Sequence, residues 1–135
     1  MRRLHLFVGI AGMLAFVLTG QVLKHHNPPM HTLSHEVRLM FVSRHVYLMG
    51  AAAMNLVLGL YLRMHPSGWR RAVQHVGSAL ILLSVVLLLA AFFKEPSFGV
   101  AGRSALSLVG PVALFLGATL HAVAALGKMP EGSPN

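Results

Sequence analysis

The chain contains no cysteine and no aspartate, and its only carboxylates are Glu36, Glu95 and Glu131. The first absence excludes disulfides, thiolate metal sites, covalent c-type haem attachment and lipoprotein acylation together. The second removes most acid chemistry. None of the glutamates falls in the core of an apolar run, so neither the paired carboxylates of a hydrolase nor the mid-membrane carboxylate of a proton-coupled carrier has residues to build it. No catalytic motif stands in the sequence. Charge of either sign is scarce, at 10% of residues, while 56% of the 135 residues are hydrophobic and the mean hydropathy is +0.69. A soluble domain of this length is far more polar.

What is present is a set of four long apolar stretches, 4–23, 39–62, 76–93 and 105–126. Each is close to the roughly 20 residues that a helix needs to cross a hydrocarbon core of about 30 Å. The pattern predicts an all-α fold, a transmembrane four-helix up-down-up-down bundle, with the lipid bilayer as solvent. Helices are expected at 4–23, 37–63, 72–93 and 104–126 in a single domain 1–126, followed by a flexible polar tail at 127–135. Arg2 and Arg3 before the first apolar run resemble the start of a signal peptide. The run lacks a small-x-small cleavage site before Gln21, which predicts an uncleaved first helix.

The net charge of +8 does not indicate nucleic acid, because the basic residues flank helices and do not cluster on one face among aromatics. Arg2, Arg3, Arg63, Arg70, Arg71 and Lys128 fall on one side of the expected bundle, against Lys24, Arg38, Arg44, Lys94 and Arg103 on the other. By the positive-inside rule the first group is cytoplasmic, giving an N-in, C-in topology. Trp69 and Tyr61 near the arginines of the 63–71 loop have the composition of an interfacial anchor.

Helices in lipid associate through close packing and therefore put small residues at their contacts. Ala51, Asn55 and Gly59 repeat at four-residue spacing; so do Ala11, Ala15 and Thr19; and Gly110, Gly117 and His121 share one face of the last helix. Ser34 or Thr32 is positioned to cap the second helix, and Pro111 marks a kink or the first turns of the fourth.

Polar residues in the apolar runs define the candidate sites. On the second helix Arg38 and His45 share one face, and Arg44 and Asn55 another. These four residues form a candidate quinone or lipid-headgroup site, since guanidinium and imidazole groups donate to carbonyl or carboxylate oxygens. The architectural alternative is that Arg44 snorkels to phosphate and Asn55 joins two helices. The chain has nine histidines, and topology puts His5, His65, His75 and His121 towards the inner surface. A b-type haem needs two axial imidazoles from facing helices; His75 and His121, with His5 near their level, are the candidate set, although a histidine near the interface is also stable without a ligand. The outer loop offers His25, His26, Met30 and His31, ligands suited to copper, or a solvated loop stiffened by Pro28 and Pro29.

The stretch Arg38-Leu39-Met40-Phe41-Val42-Ser43-Arg44-His45-Val46-Tyr47-Leu48, with Asn55-Leu56 and Gly59-Leu60-Tyr61 after it, resembles a pattern in small uncharacterised four-helix membrane proteins of proteobacteria. The resemblance implies a bacterial inner-membrane protein and brings no activity with it. A looser similarity, in fold and scattered histidines, is to four-helix b-type cytochromes. Together these readings predict a non-enzymatic accessory or assembly subunit of a larger membrane complex, respiratory or redox in type, working against a membrane-protein partner or as a homo-oligomer. The alternatives are a haem b- or quinone-binding membrane protein and a small oligomeric transporter or channel.

Overall fold

A computed structural model of the chain describes residues 1–94 and 105–126. The expected turn at 95–99, Arg103, Lys128, Glu131 and the 127–135 tail lie outside the described residues. The helices are α1 (Arg2–Lys24), α2 (His35–Tyr61), α3 (Gly68–Lys94) and α4 (Ala105–Ala125), with a short 3-10 turn at Met30–Thr32 between α1 and α2. All four are long and apolar enough to cross a membrane. At about 1.5 Å per residue the 27-residue helices α2 and α3 run to roughly 40 Å, so their ends reach past the hydrocarbon core.

Local chemistry explains the boundaries. Pro28 and Pro29 keep α1 from continuing, and the side chain of Ser34 caps α2 by accepting from the Val37 N–H at 3.4 Å. Thr32, the other expected cap, instead donates to the Pro29 carbonyl at 2.7 Å. The clearest departure from expectation is the start of α3, at Gly68 and not near 72. Gly68 has φ +79°, a backbone conformation that glycine adopts without the penalty a Cβ would bring. It turns the chain so that Trp69, Arg70 and Arg71 form the first turn of the helix. Arg71 donates back to the Pro66 carbonyl at 3.0 Å, and the Arg70 guanidinium lies 5.4 Å from the centre of the Trp69 ring.

Contacts run antiparallel along each pair. On α1 and α2, Leu6 meets Gly59, Gly9 meets Leu56 and Gly12 meets Ala52. On α3 and α4, Gly77 meets Gly117 and His121, and Leu88 meets Gly110. A Cβ on Gly59 would lie 2.6 Å from the Leu6 backbone nitrogen, and one on Gly117 would lie 2.7 Å from the Gly77 carbonyl oxygen. Neither backbone can approach so closely with a larger residue. The two hairpins meet chiefly through α2 and α3, while α1 and α4 scarcely touch. The centre of the bundle holds Leu48, Ala51, Val85 and Leu88.

The radial order of polarity is inverted relative to a soluble protein. Phe7 and Phe115 are each 71% exposed, whereas His5, Asn55, Ser78 and Ser84 have no exposed surface. Large apolar side chains outside with small and polar ones inside are what lipid solvent demands. The expected Gly110, Gly117 and His121 face and the Ala51, Asn55 and Gly59 face are both contact faces. On α1 the contact face is carried by Gly9, Gly12 and Thr19 together with His5, and Ala11 of the expected stripe is exposed.

Candidate functional site

The end of the bundle that carries Met1, the 62–67 connection and Leu126 holds most of the buried polar side chains. His5 stands one turn into α1, and its Nδ1 is 2.7 Å from Asn55 Oδ1. The Asn55 amide nitrogen donates to the Ala51 carbonyl at 2.9 Å and to the Ile81 carbonyl at 3.2 Å. Both of those partners are acceptors, so the amide orientation is fixed and Asn55 Oδ1 accepts from His5 Nδ1–H. One asparagine thereby joins α1, α2 and α3. The same tautomer leaves His5 Nε2 as a bare lone pair, buried and without a hydrogen-bond partner.

His121 approaches from α4. Its Nε2 is 3.1 Å from Ser78 Oγ, and its ring lies against Gly77. His75, the next residue round α3 from buried Gln74, is half-buried at the edge of that face. Of the candidate haem-side residues, then, His5 is held in the interior by Asn55, His121 is held between α3 and α4 by Ser78, and His75 stands to one side. Between α2 and α4 at this end opens a cleft of about 390 Å³ whose lining includes Leu58, Tyr61, Arg63, His65 and His121. Gln74 braces its floor: Gln74 Oε1 accepts from the His65 backbone N–H at 2.8 Å, and Gln74 Nε2 donates to the Arg63 carbonyl at 3.0 Å.

The residues proposed for a headgroup site on α2 part company. Arg38 is exposed beside His35, at 3.5 Å from its Nδ1. Arg44 is buried and donates through Nε to Ser107 Oγ of α4. His45 turns to α1, where its ring stacks on Phe16 with centroids 4.2 Å apart and its Nδ1 lies 2.9 Å from Thr19 Oγ. The Thr19 hydroxyl proton goes to the Phe16 carbonyl at 2.9 Å, so His45 Nδ1–H donates to Thr19. Asn55 serves the opposite end of the bundle. The four residues belong to separate contacts, and they do not converge on one ligand. Arg44 meets α4 at a particular turn: Pro111 lacks the N–H that would bond the carbonyl four residues back, at Ser107. Freed backbone groups in a spanning helix need nearby polar partners.

In the loop, His26 Nδ1 donates to the Pro28 carbonyl at 2.7 Å and the ring packs edge-on to Phe41. His25 and His31 are exposed and Met30 is half-buried. Among the described residues no three His, Cys, Asp or Glu side chains gather in a way that would hold a metal ion.

Gln74, Ser78 and Ser107 escaped sequence reasoning. The signal for the first two was available: Gln74 and Ser78 stand four apart on the α3 stripe that also carries Gly77, Ile81 and Val85. Ser107 gave none, because its role comes from the partner that α2 brings to it. No protein-family model, curated protein or solved structure matches the chain.

Proposed function

We propose that this multi-pass protein is a non-enzymatic accessory or assembly subunit of a larger complex in a bacterial inner membrane, with both termini cytoplasmic. The observation that carries this reading is how the interior polar groups are used. Asn55 links three helices, His45 and Thr19 link α1 to α2, Ser78 and His121 link α3 to α4, and Arg44 reaches Ser107 across the hairpins. Such bonds assemble helices; they do not position a nucleophile beside a base. The described residues include almost no mass outside the spans, so a partner in the plane of the membrane is the natural one. Arg2, Arg3, Arg63, Arg70 and Arg71 stand at one end with Trp69 among them, which supports cytoplasmic termini. Native mass spectrometry of the protein released from its own membrane in mild detergent tests the proposal. A stoichiometric complex with a second membrane protein is expected, and a strictly monomeric species speaks against it.

A second reading, a haem b-binding protein, is favoured by one feature. An imidazole with Nδ1–H anchored on an amide oxygen and Nε2 left bare, as His5 has, is oriented as metal-ligating histidines are. An absorption spectrum before and after dithionite separates the two. A Soret band that sharpens with α and β bands on reduction, lost in His5→Leu or His121→Phe, supports haem; a featureless spectrum removes it.

A further inference from the structure

The cleft between α2 and α4 is not accounted for by helix assembly. At about 390 Å³ it falls within the range of about 300–1,000 Å³ typical of small-ligand sites. Its walls are Val57, Leu58, Leu62 and Ala125, and its polar residues are Tyr61, Arg63, His65, His121 and Gln74, the last with its amide engaged by the Arg63 and His65 backbone. Among the described residues no carboxylate lines it, so it has no negative charge with which to attract a cation. Phenol, guanidinium and imidazole groups are instead donors to neutral or anionic oxygens.

The polar groups are also separated in depth. Arg63 and His65 belong to the connection between α2 and α3, at the rim, whereas His121 lies a full turn of α4, about 5–6 Å, further in than Ala125. A phosphate headgroup at the rim would satisfy Arg63 and leave His121 facing acyl chain. A flat ring with acceptor oxygens on opposite edges would reach both. His121 Nε2 pairs with Ser78 Oγ at 3.1 Å, and in the tautomer in which the serine donates, the ring proton of His121 sits on Nδ1 and is available to such an oxygen. Val57, Tyr61 and Ala125 are exposed on the outer surface of their helices, so in a bilayer the cleft opens sideways to lipid and suits a lipid-soluble ligand.

From this we propose that the cleft binds the ring of a lipid-soluble quinone, one carbonyl towards His121 and the other towards Arg63 and His65. The site is distinct from the Arg38, Arg44 and His45 region of α2, and it does not require that a partner subunit be bound. The test uses the full chain in nanodiscs of zwitterionic phospholipid, titrated with a decyl-substituted benzoquinone, with empty nanodiscs as the partition baseline. Saturable binding of one equivalent is expected. His121→Phe keeps a ring but removes the donor, and Ala125→Trp fills the mouth from an exposed position where folding is not at stake. Each should weaken binding roughly tenfold or more, about the effect of one lost hydrogen bond or a blocked site, and Ala53→Trp on the exposed side of α2 should leave it unchanged. Partition no greater than in empty nanodiscs overturns the proposal, as does equal binding by wild type and Ala125→Trp, or displacement of the quinone by an anionic phospholipid.

Discussion

An imidazole with no exposed surface is expensive to place between membrane helices unless its polar atoms are matched. His5 has one match, Asn55, and Asn55 has three partners of its own. Asn55→Leu therefore strands the His5 Nδ1 proton and should lower stability in detergent by about 1–3 kcal/mol, read as an earlier thermal unfolding transition. His5→Leu combined with Asn55→Leu removes both members of the pair, and its loss should be clearly less than the sum of the two single losses. Additive losses in that cycle would mean that the two residues act independently. Asn55 was legible in the sequence as a polar residue in an apolar run with an interhelical role. Its partner was not, because no periodicity on α2 says which residue of α1 will stand opposite.

Helices α1 and α2 are joined by backbones in contact, and so are α3 and α4. Gly59→Val and Gly117→Val each force a branched side chain into backbone atoms under 3 Å away, and each should cost about 1–3 kcal/mol or prevent assembly of its hairpin. Gly50, with nothing within 4 Å of an added Cβ, is the contrast: Gly50→Ala should be neutral or slightly stabilising, through helix propensity alone. The cysteine-free chain allows a direct check of register. Gly12→Cys with Ala52→Cys, whose β carbons would stand 2.9 Å apart, should oxidise readily to a disulfide after a small shift outward, whereas a cysteine pair between α1 and α4 should stay reduced. Helix positions and the small-residue faces of α2 and α4 were readable because lipid solvent imposes both. On α1 the expected stripe is a contact face at Ala15 and Thr19 and fails at Ala11, which is exposed, while Gly9 and Gly12 carry the closest approach to α2; only the partner surface selects among small residues. The start of α3 was missed because glycine at 68 reads as a loop residue until its positive φ shows it turning the chain into the helix.

For the whole molecule, the sequence sufficed to indicate that lipid is the solvent, and it did not group the polar residues correctly. Arg38, Arg44, His45 and Asn55 sit close together on α2, yet each answers to a different neighbour, whereas the cleft unites residues from α2, α3, α4 and a connection that no local pattern relates. Orientation is a whole-molecule property as well. A reporter fused after Leu126 should be active only if its folding occurs in the cytoplasm, and replacing Arg70 and Arg71 by glutamine should reduce that bias.

The most direct test of the proposed role is native mass spectrometry of the protein extracted from its own membrane under mild detergent, without overexpression. A defined complex with another membrane protein, stable to dilution and weakened by substitutions on the lipid-facing side but not inside the bundle, is the predicted result. A lone monomer at every detergent concentration, with the fold intact, would contradict it.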